Sequence, residues 1–449
     1  MPRPDVDVAV IGAGVAGLAA ARTLRRAEPS LSMVVLEARE RIGGRIYTVR
    51  DDTVSVPIEL GAEFLHGSAP ETIAIAREAG VLLCDVEGKR WQSRNGRLTR
   101  LNEFWDKLDR VMRRLDAERT PDRSFLEFIE AQPGGRRLAS ERSLALEFVQ
   151  GFHAADASRI SERALAEGGS PGEDPNEKRM ARVLDGYDAV PRWLATSVRD
   201  CIRLNQAVTH ITWKRGTVRL TLQSPGGKRS SLTARAAIVT VPLGVLLATP
   251  GEQGAIAFDP PIENVLSHAR GLTMGNVLRI TMQFREAFWE NDKISTVPEG
   301  ESLAGMSFLH SRDPDLPVWW TAEPIRAGLF VGRAGGPRAA RLLSLPPAEL
   351  ERRALAALAR QLGRKPQTLR RLLVRSWSHN WTRDPFARGA YSYIVVGGHD
   401  APRRLARPIQ QTLFFAGEAA DPEGRLGTVN GAIATGERAA AACRRSLSR

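Results

Sequence analysis

Three glycines, Gly12, Gly14 and Gly17, follow directly on the β-branched run Val6 to Ile11. An alanine- and leucine-rich stretch from Val15 to Ala27 comes next, then a second apolar run, Met33 to Leu36, that ends at Glu37. Strand, glycine turn, helix, strand and acid in this register suit a dinucleotide. Gly12 permits the tight turn, Gly14 lets backbone approach a pyrophosphate, and Gly17 lets the helix pack closely on the strand. The helix N-terminus offers unpaired N–H groups and a positive dipole to the phosphates. Glu37 accepts hydrogen bonds from ribose hydroxyls, and its charge repels a 2′-phosphate.

Two further segments carry matching chemistry. After Glu37, the run through Arg39, Arg41, Gly43, Gly44 and Arg45 is a paired glycine flanked by arginines. It is a second close-approach loop that adds cationic donors to a diphosphate. Near the other end, Phe414 to Ala416 has a buried-strand pattern and leads into Gly417 and Glu418. Gly417 allows close approach, and Glu418 can accept bonds from a ribityl or similar polyol. Gly427 to Ala432 then opens the last helix, whose free N–H groups face whatever lies there; for a flavin this is the edge where negative charge develops on reduction.

Together these segments resemble the flavin-dependent amine oxidases, the family that includes monoamine oxidases, polyamine oxidases and lysine-specific histone demethylases. Further anchors of the resemblance are Glu59 to Gly67, Thr240 to Leu246, Trp381 to Tyr393, and Gly427 to Gly431. The resemblance implies FAD, held with contributions from Gly61, Ala62, Val208, Trp381, Thr428 and Val429. It implies that Trp381 lies near the flavin and that Tyr391, ten residues on, stacks against the substrate amine. It also makes His66 a substrate-facing group that orients the amine or buffers its deprotonation. Glu63 is a candidate for a distal ammonium, and Glu59 is either flavin-side or structural. The implied reaction is hydride transfer from the amine α-carbon to flavin N5. Water then hydrolyses the imine to a carbonyl product, and oxygen is reduced to hydrogen peroxide.

Three departures refine this. Monoamine oxidases resembling the chain attach flavin through a cysteine just before the tyrosine; here that residue is Ala390, which predicts non-covalent FAD. Thr428 stands where those enzymes have a second tyrosine, an arrangement similar to the half-open wall of the demethylases. Arg279 stands four residues after Gly275, where the family normally has a lysine linked to reaction with oxygen. Arginine stays protonated at any working pH, so it keeps positive charge near N5 but is no reversible base. Slow reaction with oxygen, or another electron acceptor, is the expectation. Related flavoproteins acting on amino acids, and a flavin-binding protein without amine turnover, are the alternatives.

The elements that must position these residues form an α/β fold. A discontinuous Rossmann-like FAD-binding domain is expected over 1–85, 195–254 and 401–449, and a mixed sheet-and-helix substrate domain over 86–194 and 255–400. Residues 86–194 read as helical and charged, with helices over Leu101 to Glu118 and Ser124 to Ala131 and a loop over Glu167 to Asp174. Alternation predicts strands at Val208 to Trp213, Val218 to Leu222 and Ala236 to Val241, and a helix at Pro347 to Gly363. The net charge of +13 comes from 64 basic residues, nearly all arginine and spread along the chain, against 51 acidic ones. A nucleic-acid site concentrates such charge, so surface composition is the expectation. No apolar stretch reaches the roughly 18 residues of a membrane helix. The 3 cysteines have no metal or redox spacing, and a soluble cytoplasmic protein in a reducing compartment is expected.

Overall fold

The computed structural model describes residues 3–168, 179–291 and 297–448. Val6–Ile11, Val15–Ala27 and Met33–Leu36 form strand, helix and strand with the boundaries expected. The two strands pair in parallel, Val8 beside Met33 through Ile11 beside Leu36. Their β-branched side chains suit a sheet covered on both faces. On the other side of Val6–Ile11 runs Arg229–Val239, also parallel, and Leu413–Phe415 pairs with that strand in turn. Thr217–Gln223 and Ala207–Lys214 continue antiparallel; Ile202–Arg203 beside Met33–Leu36 and Ala257–Asp259 beside Ala207–Lys214 complete an eight-stranded sheet drawn from three distant stretches of chain.

The last helix, Val429–Leu447, lies against Val15–Ala27 with its alanines inward. A Cβ at Gly436 would fall 2.1 Å from the Ala16 carbonyl oxygen, and one at Gly17 would fall 1.9 Å from that of Gly12. Both contacts are backbone to backbone, so only glycine fits.

A second, seven-stranded sheet follows the order Leu373–Trp377, Val277–Phe284, Leu329–Gly335, Val318–Thr321, Met306–His310, Lys89–Arg94, Arg97–Arg100. Alternation divides its faces. Leu278, Ile280, Leu309, Trp319 and Phe330 are buried among the helices Gly336–Leu343 and Pro347–Gln361. The opposite face presents Arg279, Arg333, Val318, Trp320, Phe308 and Arg90 to a cavity.

Residues 86–194 are less helical than the charge pattern predicts. Lys89–Arg94 and Arg97–Arg100 form a hairpin turned by Asn95 and Gly96 at φ 53° and 79°, the two left-handed positions of a tight hairpin turn. Met180–Val183 is also a strand, between Phe64–His66 and Leu83–Asp85. The expected helices are Phe104–Met112 and Phe125–Glu130, the latter with a capping box from Ser124 and Glu127. Tyr187, Val190 and Leu194 pack in the same core as Val8, Ala16 and Leu18. The loop expected over 167–174 runs outside the described residues from 169 onward. Among the described residues no helix is long and apolar enough to cross a membrane.

Candidate active site

A cavity of about 1800 Å3 extends from the glycine turn to the open face of the second sheet. Pockets for drug-sized ligands run to roughly 300–1,000 Å3, so this one has room for a dinucleotide and a second molecule. Every site residue predicted from the sequence lines it except Gly17, which lies behind the turn. One end is walled by Gly12, Gly14, Glu37, Arg39, Gly44 and Val208; Arg45, Ala62, Gly417, Glu418 and Val429 follow.

The polar groups at this end are largely committed to one another. Glu37 accepts the Ala13 N–H at 2.8 Å and the Arg39 N–H at 3.0 Å, leaving a lone pair on each oxygen for a hydroxyl. Arg39 donates to Asp384 at 2.6 Å, and His379 lies 2.9 Å from the same carboxylate. Arg45 pairs with Glu418 at 2.8 Å and donates to the Ala390 carbonyl at 2.9 Å. The other Glu418 oxygen accepts from the Ser392 hydroxyl at 2.6 Å and from the Gly427 N–H at 3.1 Å. Sequence reasoning assigns Arg39, Arg45 and Glu418 directly to a diphosphate and a polyol. The structure gives each a protein partner as well, and these pairs latch the Gly43-Gly44 loop to the Tyr391 segment and the last helix. Thr428 is that helix's N-cap: its hydroxyl accepts the Gly431 N–H at 2.9 Å and donates to the Arg425 carbonyl at 2.7 Å.

Further in, Trp381 is buried and donates from its indole to the Leu60 carbonyl at 2.8 Å. Arg279 donates to the Gly61 carbonyl at 3.0 Å and to Glu63 at 2.5 Å. Glu63 also meets Arg182 at 3.2 Å and accepts from the Trp320 indole at 3.1 Å. Expected to receive a distal ammonium, Glu63 is instead occupied by two arginines and an indole. Glu59 sits behind the cavity wall, accepting from the Tyr187 N–H and the Thr48 hydroxyl, both at 2.7 Å. Burial raises its carboxyl to about 7 against these two hydrogen bonds.

Tyr391 flanks Gly427, whose Cβ, if present, would lie 3.2 Å from the tyrosine ring. Its hydroxyl donates to the Phe152 carbonyl and accepts from Arg333. His66 opens onto the cavity, its ring 5.1 Å from that of Phe152 and 6.0 Å from that of Phe64. Protein encloses it on its other sides, and that burial, with Arg333 and Arg90, lowers it to about 4. It is therefore neutral near pH 7: it can accept a hydrogen bond from an amine but holds a proton poorly.

Arg333, Arg90 and Phe152 are absent from the sequence-derived site. For Arg333 and Arg90 the only signal is a polar residue in phase with the inward positions of a strand, which becomes legible once register is known; Phe152 ends the helix Ala139–Phe152. Arg333 lies directly opposite Arg279 in the sheet.

These residues suit a flavin dinucleotide. A Cβ at Gly44 would stand 3.3 Å from the Gly14 Cα, so the floor between the turn and the loop is bare backbone open to a diphosphate. Polar acceptors follow at Glu37, and the Trp381 indole and the Arg279 guanidinium wall the same cavity further in.

The flavin containing amine oxidoreductase family profile matches residues 15–444, and the chain belongs to that family. It is an amine-acting flavin oxidoreductase. Among curated relatives it is 28% identical to probable polyamine oxidase 4 of Arabidopsis thaliana, covering 98% of this chain and 87% of the relative. It is 30% identical to polyamine oxidase 3 of Oryza sativa subsp. japonica, over 97% and 88%. Among solved structures, the fold is similar to cyclohexylamine oxidase from Brevibacterium oxydans IH-35A, with TM-score 0.79 and 22% identity over 99% and 100% of the chains. A putrescine oxidase bound to putrescine gives TM-score 0.77 and 23% identity over 99% of both.

Proposed function

We propose that the chain binds FAD without a covalent link, oxidises an amine against Tyr391 and Trp381, and reoxidises slowly with oxygen because Arg279 occupies the lysine position. One observation carries this reading: the cavity runs uninterrupted from the Gly12–Gly14 turn to Tyr391, with Trp381 and Arg279 on its walls. The chemistry supplied by bound FAD is acceptance of a hydride from the amine α-carbon at N5, leaving an imine that water hydrolyses to a carbonyl product and ammonia or a smaller amine. Glu37 and the glycine turn hold the nucleotide end, with Arg45 and Glu418 setting the loop around the polyol. Val208, Gly61, Ala62, Val429 and Thr428 complete the walls. Tyr391 and Trp381 offer aromatic surface to the amine. His66, neutral, accepts a hydrogen bond that aligns it. Glu63 acts through Arg279, holding that guanidinium still, and is a positioning residue.

The division into a FAD-binding part (1–85, 195–254, 401–449) and a substrate part (86–194, 255–400) belongs to this reading; the two sheets follow it except that Ala257–Asp259 joins the first sheet and Tyr187, Val190 and Leu194 pack in the first core. Ala390 stands before Tyr391, and none of Cys84, Cys201 and Cys443 lines the cavity, which supports non-covalent attachment. Those free thiols also support a reducing, cytoplasmic setting. Acid precipitation tests the attachment: a yellow supernatant is expected, and flavin retained in the pellet would overturn it.

A further inference from the structure

The substrate end of the cavity has more positive charge than it has partners for. Arg279 and Arg333 stand opposite each other on neighbouring strands. Like charges so placed repel across about 5 Å. Arg279 is compensated by Glu63. Arg333 is not: its side chain meets only the Tyr391 hydroxyl and, at 3.4 Å, the Phe152 carbonyl. Its Nε is buried without a hydrogen-bond partner. Arg90, on the same face, lies over the Phe308 ring at 4.7 Å and the Trp105 ring at 5.7 Å. Among the described residues no carboxylate pairs with Arg333 or Arg90.

The acids nearby cannot serve a cationic substrate either. Glu63 is held by Arg279 and Arg182, Glu141 by Arg110, Glu147 by Arg338, and Asp313 by Arg360. A second ammonium entering this chamber would meet two guanidiniums without acid partners; among the described lining carboxylates only Glu167, beside His399, is not paired to an arginine. A half-buried guanidinium with an idle donor is matched instead by a planar two-oxygen anion.

We propose that the amine oxidised here carries a carboxylate on the same molecule, and that Arg333, beside Tyr391, receives it. Arg90 keeps the rest of the chamber cationic and turns away polyamines. This rests on the amine-oxidising reading and narrows its substrate class to amino acids and related carboxylated amines.

The test uses FAD-loaded protein and a carboxylate that has no amine to oxidise. Titration with 3-phenylpropanoate is expected to perturb the flavin absorption saturably, and 3-phenylpropanamide is not. Arg333→Gln is expected to weaken the carboxylate about tenfold or more, and Arg333→Lys by less. The unliganded visible spectrum of each variant reports that FAD is still held. Equal binding of acid and amide, or unchanged affinity in Arg333→Gln, would overturn the proposal. Anaerobic mixing with phenylalanine, phenethylamine and 1,4-diaminobutane separates the two readings. Bleaching by phenethylamine or the diamine as fast as by phenylalanine would sink the carboxylate while leaving amine oxidation standing. Should nothing in a wider amine and amino-acid panel bleach the flavin, the amine reading fails, and the titration still reports on Arg333.

Discussion

Arg279 and Glu63 form a buried ion pair of 2.5 Å, which places a fixed positive charge at the inner wall of the cavity and consumes the acid that sequence reasoning reserved for substrate. Arg182 and Trp320 bind the same carboxylate, so the guanidinium is anchored through a network rather than one contact. Breaking such a pair from one side leaves a buried charge, a loss of about 3 kcal/mol. Arg279→Met leaves Glu63 with Arg182 as its remaining cation and should lower stability to urea by less than that full loss, and adding Glu63→Gln should cost less than Glu63→Gln does alone. Full additivity of the two losses would mean the pair is not coupled.

Arg279 also bears on the electron acceptor. Arg279→Lys shortens the side chain and restores a group with reversible protonation. Stopped-flow mixing of the reduced protein with oxygen should then show reoxidation faster by about tenfold, a barrier change of roughly 1.4 kcal/mol. Unchanged oxygen kinetics would remove the argument for slow reoxidation.

Glu59 makes stability pH-dependent in a definite direction. Its carboxyl is raised from 4.5 to about 7 by burial, so the folded state binds a proton that the unfolded state has released across that window. The stability this contributes is complete below about pH 4.5 and is lost as pH rises through 7. Glu59→Gln should flatten the fall in urea midpoint between those values. A slope identical to the parent's would show that Glu59 titrates normally.

His66, lowered to about 4, is already neutral where the enzyme is assayed. The acid limb of flavin reduction between about pH 5.5 and 8 should therefore follow the amine's own protonation. His66→Gln should leave the midpoint of that limb in place while weakening substrate binding. A midpoint that moves with the substitution would assign the proton to His66.

Much of the nucleotide end was legible in the sequence because its determinants are local. Gly12, Gly14 and Gly17, the alanine-rich helix and Glu37 lie within one strand–helix–strand unit, and their boundaries fall where spacing places them. The Asn95-Gly96 hairpin was equally local, yet the charge around it reads as a helical surface. Arg333 and Arg90 belong to a different class. Their placement depends on which face of a seven-stranded sheet each occupies, and that is set by register between strands: Arg333 beside Arg279 and Val318, and Arg90 beside Phe308, more than 200 residues away. Glu63 is legible as an acid at the site, but its partners are not, since Arg182, Arg279 and Trp320 converge on it only in three dimensions.

Anaerobic flavin bleaching decides whether an amine is oxidised against Tyr391 and Trp381. The FAD-loaded protein, mixed without oxygen with a panel of monoamines, diamines, polyamines and amino acids, should lose its visible flavin absorption with at least one of them. Retention of the oxidised spectrum across the whole panel would contradict amine oxidation at Tyr391 and Trp381.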